Sequence, residues 1–138
     1  MARILLLEDD AGFAEVVQMG LTDAGHDLTV AKTGSEAVAH LMASEFDVLI
    51  TDIFVKSNGR PVPDGGLLLI GRVRNAIFGS ELWNARDIPI ISVSGAAKLS
   101  GIQDVLGMSL SVGANVALAK PFSQNKLLDA IETLLSKK

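Results

Sequence analysis

The sequence predicts an α/β fold in which a five-stranded parallel sheet is covered by helices on both faces. Three features carry this prediction. Short apolar runs recur along the chain, among them Arg3 to Leu7 (RILLL), Val48 to Ile50 and Ile88 to Val93 (IPIISV), as expected of strands buried on both sides. Stretches of helical periodicity separate these runs. The chain has 138 residues, 49% of them apolar, enough for one domain with a core of its own.

The first strand, Arg3 to Leu7, stops at Glu8, Asp9 and Asp10. A helix follows with Phe13, Val16, Val17, Leu21 and Ala24 on one face. Asp10 is placed as its N-cap and Gly25 ends it. Asp27 to Ala31 (DLTVA) is the second strand. Thr33, Gly34 and Ser35 open a second helix that turns Val38, Leu41 and Met42 inward. Phe46 to Asp52 (FDVLITD) is the third strand. Ile53 to Gly66 reads as a loop, because Asn58-Gly59, Pro61, Pro63 and Asp64-Gly65-Gly66 are turn signals. Leu67 to Ile77 reads as a third helix that buries Leu67, Ile70, Val73 and Ile77. Phe78 to Asp87, with the only tryptophan, Trp83, reads as loop or irregular turn. Ile88 to Val93 is the fourth strand, and Pro89 fits at its start. A fourth helix lies between Ala96 and Ser111, weakened by Gly101 and Gly107 at roughly 1 kcal/mol each relative to alanine. Val116 to Ala119 is the fifth strand, ended by Lys120-Pro121. Ser123 caps a last helix with Leu127, Leu128, Ile131, Leu134 and Leu135 inward. Strands alternating with helices in this way require a parallel sheet with right-handed crossovers.

Composition narrows the function classes. With no cysteine, disulfides, thiolate metal sites and cysteine nucleophiles are excluded. A formal charge of −4 argues against nucleic acid as a direct partner, since phosphate contacts need clustered lysine and arginine. No apolar run approaches the ~18 residues of a membrane span, and no signal-peptide pattern opens the chain. The expectation is a soluble cytoplasmic protein, a single domain over residues 1–138 without an effector domain.

Parallel strands send their carboxyl ends to one edge, where open α/β sheets bind ligands. That edge collects Glu8, Asp9 and Asp10 from the first strand, Asp52 from the third, Ser94 from the fourth and Lys120 from the fifth. Carboxylates brought together there repel one another unless a cation joins them. An all-oxygen donor set favours a hard, water-keeping ion such as Mg²⁺. A lysine and a hydroxyl opposite the acids suit a phosphoryl group. A carboxylate can then serve as nucleophile and form an aspartyl phosphate.

These residues resemble the receiver domain of response regulators in two-component signalling. The matching pieces are ILLLEDD at the start, FDVLITD, IPIISVSGA and GANVALAKPF, in this order along the chain. The resemblance implies a doubly wound, flavodoxin-like (CheY-like) three-layer sandwich with strand order 2-1-3-4-5. It makes Asp52 the phosphoryl acceptor. Asp9 binds Mg²⁺ directly and Glu8 largely through water, with Asp52 and the backbone carbonyl of Phe54 as further ligands. Lys120 pairs with the phosphoryl group and Asp52, and Ser94 donates its hydroxyl to the phosphoryl. The implied partners are a histidine kinase or phosphotransfer protein as donor and a downstream protein target, with no membrane and at most a weak homodimer. The only chemistry implied is the domain's own phosphorylation and dephosphorylation.

Three departures from the family pattern stand out. Ala117 occupies the position, three before the lysine, where the family has an aromatic switch residue. Lys56 replaces a proline after Asp52, and Asp64-Gly65 arrives about five residues late. This insert is either a gate or recognition element, with Lys56 and Arg60, or a tolerated surface insertion. The connection before the fourth strand, Phe78 to Asp87, and the span from Ser94 to Lys120 around the fourth helix are also longer than in the family. These departures keep a rival reading open, a phosphorylation-independent interaction module on the same fold. A phosphohydrolase is disfavoured, because Phe54 stands where a second acid is needed. The resemblance also implies that hydrolysis is tuned at the residues two beyond Asp52 and two beyond Ser94; here these are Phe54 and Ala96, both apolar and poor at orienting water. A phosphoryl state that outlasts many seconds is therefore expected, measurable as the decay of label after donor removal.

Overall fold

A computed structural model describes residues 2–53, 55–57, 60–62, 64–94, 102–120 and 122–136. Within residues 55–57, 60–62, 64–65 and 102–106 the description is of the backbone only. The strands are β1 (Arg3–Leu7), β2 (Asp27–Ala31), β3 (Val48–Asp52), β4 (Val55–Ser57), β5 (Arg60–Val62), β6 (Ile90–Ser94) and β7 (Val116–Ala119). The helices are α1 (Ala11–Asp23), α2 (Gly34–Ala43), α3 (Asp64–Arg74), α4 (Ile102–Val112) and α5 (Gln124–Ser136).

The main sheet has the order β2-β1-β3-β6-β7, and every pairing in it is parallel. Counted without the small β4–β5 pair, this is 2-1-3-4-5, as the resemblance implied. Alternation along each strand divides the apolar residues between two cores. Ile4, Leu6, Val48, Ile50, Ile91 and Val93 pack against Val17 and Leu21 of α1 and Leu127, Ile131 and Leu134 of α5. Leu5, Leu7, Leu49 and Ile90 pack on the other face against Val38 and Leu41 of α2 and Leu69, Ile70 and Val73 of α3. A strand covered on both sides has no polar face to show, which is why these runs are apolar throughout.

Several expectations need correction. Val16 and Met42 are exposed, because the inward stripes of α1 and α2 are centred on Ala14, Val17 and Leu21 and on Ala37, Val38 and Leu41. Ala24 lies at the C-cap of α1 rather than in the stripe. The segment read as loop after Asp52 holds an antiparallel pair, Val55–Ser57 with Arg60–Val62. The turn signal Asn58-Gly59, which stands between the two strands in sequence, lies outside the described residues. Helix α3 starts at Asp64 and ends at Arg74, so Ile77 lies beyond it and is exposed. The stretch 78–87 contains one 3₁₀ turn, Trp83–Ala85, with Arg86 stacked 3.6 Å from the Trp83 ring centroid. The fourth sheet strand begins at Ile90, after Pro89, and reaches Ser94.

Two devices outside the apolar pattern fix the ends of the sheet. At the amino edge, Arg74 donates to Gly113 O (2.9 Å), Arg86 O (2.7 Å) and Asn115 Oδ1 (2.9 Å). Asn115 Oδ1 also accepts from the Ile90 amide at 2.8 Å, so one guanidinium ties α3 to the entries of β6 and β7. Burial lowers the pKa of Arg74, with Asp87 opposing the shift. At the carboxyl edge, Gly66 lies directly against the chain leaving β3. A Cβ there would run into the carbonyl oxygen of Asp52 and stand 2.7 Å from Cα of Ile53.

Gly66→Ala is therefore expected to lower stability by about 1–3 kcal/mol, as overpacking against backbone does. Gly107→Ala, where an added Cβ meets open space on α4, is expected to raise stability by up to ~1 kcal/mol. The urea midpoints of the two variants, at unchanged slope, check both expectations.

Candidate functional site

The carboxyl edge of the sheet gathers side chains from three of its strands into one small region. The register sets Leu7 beside Thr51, Asp52 beside Val93 and Ser94 beside Ala119. The residues that leave β1, β3 and β7 thus meet without any long reach. The Glu8 amide donates to Ala31 O at 2.9 Å, which keeps the chain on the sheet for one residue past β1. The Lys120 amide likewise donates to Ser94 O at 2.8 Å. Glu8 is 1% exposed, Asp52 4% and Ser94 fully buried.

One ammonium joins the buried acids. Lys120 Nζ donates to Glu8 Oε1 at 2.5 Å and to Asp52 Oδ2 at 2.8 Å. Glu8 Oε2 accepts from the Asp10 amide at 3.2 Å. Asp10 also caps α1, its Oδ1 accepting from the Phe13 amide at 3.2 Å, so the first turn of α1 is built onto the acidic edge. The Phe13 ring centroid lies 4.0 Å from Lys120 Nζ.

The charges respond to this burial. Desolvation pushes the Glu8 carboxyl up to about 7; the hydrogen bond from Lys120 pulls it down, and the Asp52 charge pushes it up again. Burial also disfavours the Lys120 ammonium. Its hydrogen bonds to Asp52 and Glu8, with their charges, outweigh that and hold its pKa above the ordinary lysine value.

Glu8, Asp9 and Asp52 each offer a carboxylate oxygen, and these oxygens lie within 4.8 Å of one another. The Lys120 ammonium meets two of these carboxylates, and the third, that of Asp9, lies beside them. The donor set is all oxygen and suits Mg²⁺ rather than zinc. These residues therefore fit the ion that receiver domains generally use.

Of the residues singled out from the sequence, Glu8, Asp9, Asp52 and Lys120 come together. Ser94 ends β6, one position beyond Val93, the register partner of Asp52. The Phe54 carbonyl lies outside the described residues, as do the side chains of Lys56 and Arg60. Phe13 and Gly66 were not read as part of the site. Phe13 looked like an ordinary core position of α1; its place three residues after the capping Asp10 was the available signal. Gly66 was legible only as a turn residue, since no local pattern reports what its missing Cβ makes room for.

Residues 4–132 match the family model of the response regulator receiver domain. The chain belongs to this family. The receiver domain is 32% identical over 136 residues to the transcriptional regulatory protein TrcR of Mycobacterium tuberculosis, covering 96% of this chain and 45% of that protein. It is 29% identical over 129 residues to the transcriptional regulatory protein DltR of Streptococcus agalactiae, covering 94% and 50%. The chain thus spans about half the length of these curated relatives. Among solved structures, the signal receiver domain of a signal transduction histidine kinase from Syntrophus aciditrophicus matches with a TM-score of 0.80 and 26% identity, over 99% and 92% of the two chains. The receiver domain of the Francisella response regulator 1452 shares the fold, with a TM-score of 0.78 and 23% identity over 99% and 98%. Among the described residues no helix is long and apolar enough to cross a membrane.

The raised Glu8 pKa sets a pH dependence. In the folded, metal-free receiver domain Glu8 keeps its proton to about 7, against 4.5 for an ordinary glutamate. The folded state therefore binds more protons than the unfolded chain between these values, and its stability falls as pH rises through that window. Glu8→Gln is expected to flatten that slope, as measured by chemical denaturation at a series of pH values without divalent ions.

Proposed function

We propose that this receiver domain accepts a phosphoryl group on Asp52, in a Mg²⁺-dependent step, from the phosphohistidine of a histidine kinase or phosphotransfer protein. The observation that carries this reading is the Lys120 ammonium held between Glu8 and Asp52 beside the carboxylate of Asp9. An Asp52 carboxylate oxygen forms a bond to phosphorus while the bond from phosphorus to the donor imidazole breaks, and the imidazole nitrogen keeps the electron pair. Lys120 Nζ, already 2.8 Å from Asp52 Oδ2, stabilises the negative charge on the phosphoryl oxygens. Ser94 donates its hydroxyl to one of them. Glu8, Asp9 and Asp52 would hold Mg²⁺, which would supply charge neutralisation at the transferring group. Phosphorylation replaces the free Asp52 carboxylate with a bulkier, more highly charged group. That local change biases a two-state equilibrium.

In this reading residues 1–138 act as one receiver unit, and the output leaves through the face formed by α4, β7 and α5. The rival reading, binding that ignores phosphorylation, is favoured by one observation. Ala117, opposite Ser92 in the β6–β7 register, offers no ring to couple the site to that face.

Incubation with a small acyl phosphate and Mg²⁺, followed by intact-mass measurement, tests the proposal. Label is expected on the wild type and lost with a chelator or in Asp52→Asn; Lys120→Ala is expected to label at least tenfold more slowly, roughly the effect of removing one charge-stabilising donor. Equal labelling of Asp52→Asn and wild type would rule the acceptor out. Partner binding unchanged by a beryllofluoride mimic would favour the rival.

A further inference from the structure

Lys120 reaches the acids from a strand end, on a flexible stem, with only 16% of its side chain exposed. Two contacts hold its ammonium by charge, those to Glu8 and Asp52. The third is of another kind: the Phe13 ring, whose centroid is 4.0 Å from Nζ. An aromatic face attracts an ammonium at this distance through its quadrupole, by about 0.5–2 kcal/mol depending on desolvation.

The ring is itself held from two sides. Its backbone is fixed by the Asp10 cap, since the Phe13 amide donates to Asp10 Oδ1 at 3.2 Å. Phe122 meets it in a T-shaped contact, with centroids 5.8 Å apart and planes at 89°. Phe122 lies two residues beyond Lys120. The segment that carries the lysine therefore also carries the prop for the ring that receives it. Neither aromatic is a fully buried core residue; both lie half-buried at the margin of the α1–α5 core.

The chemistry of a neutral partner matters here. A further carboxylate in the place of the ring would hold Lys120 as well, but it would repel an incoming phosphoryl group. The ring attracts the ammonium and adds no net charge. Its contact also does not depend on what else the carboxylates bind.

We infer that Phe13, propped by Phe122, is a positioning residue that holds the Lys120 ammonium at the acid pocket. Its effect on labelling rests on the proposed phosphoryl acceptance at Asp52, whereas its hold on Lys120 does not. The test therefore has two arms on the full chain. In the first, the ε-methylene signals of Lys120 are followed by NMR. Protons over a ring face are shielded, so the wild type is expected to show upfield signals that Phe13→Leu returns toward ordinary lysine values and Phe13→Trp retains. In the second, labelling by a small acyl phosphate with Mg²⁺ is timed. Phe13→Leu is expected to be roughly three- to thirtyfold slower, the factor a cation–π contact of this class is worth, and Phe13→Trp to recover most of the rate.

Phe122→Leu removes the prop alone. It is expected to show a partial loss of shielding and provides the decisive variant if Phe13→Leu does not fold. Unshifted Lys120 signals in the wild type would overturn the inference. So would a Phe13→Leu protein that loses the shielding yet labels at the wild-type rate. A wild type that shows the shielding but takes no label would sink the acceptor reading while upholding the hold of Phe13 on Lys120.

Discussion

A lysine ammonium lodged between two buried carboxylates is the interaction on which the carboxyl edge of this protein depends. Glu8 and Asp52 are almost fully removed from water, and two ionised acids in such a place would repel one another strongly. Lys120 relieves that repulsion and is in turn kept charged by it. Burial pushes the Glu8 carboxyl up, the hydrogen bond from Lys120 pulls it down and the Asp52 charge raises it again, so Glu8 holds its proton toward neutrality. The carboxylate oxygens of Glu8, Asp9 and Asp52 lie within 4.8 Å of one another, an all-oxygen set that suits a small dication. The same ammonium is then available to a group more highly charged than a carboxylate.

That interaction is aimed by backbone geometry. The parallel register brings the ends of β1, β3, β6 and β7 level, and single amide bonds beyond the strands, from Glu8 to Ala31 and from Lys120 to Ser94, hold the departing chain in line. Gly66 lets α3 begin against the peptide that follows Asp52. Asp10 caps α1 while its own amide supports Glu8. At the opposite edge, Arg74 and Asn115 tie α3, β6 and β7 together. The sheet is thus fastened at both ends by polar contacts, and its middle by apolar packing.

The departures from the family pattern fall around this site rather than within it. The antiparallel pair β4–β5 lies in the stretch that follows Asp52, so the segment longer than the family pattern holds backbone pairing of its own. Ala117 lies on β7 opposite Ser92, whose hydroxyl is 2.7 Å from that of Ser109 on α4. Both serines are fully buried. In the layer between β6 and α4, two small hydroxyls thus make a direct polar link between the strand that ends on Ser94 and the helix that covers it.

The layout of the sheet was legible in the sequence because a strand covered on both faces must be apolar throughout. Parallel direction then sends Glu8, Asp9, Asp52, Ser94 and Lys120 to one edge. Helix faces were less legible: α1 and α2 include apolar side chains such as Val16 and Met42 that lie outside the buried stripe, and periodicity alone does not say where a stripe is centred. The β4–β5 pair escaped because three-residue strands carry too short a pattern to register. Only the tertiary structure decided that Lys120 touches Glu8 across 112 positions and Asp52 across 68, that Phe13 covers the ammonium, and that Gly66 abuts the Asp52 carbonyl. Local sequence records how each segment meets water, whereas these contacts depend on register and packing between segments far apart in the chain.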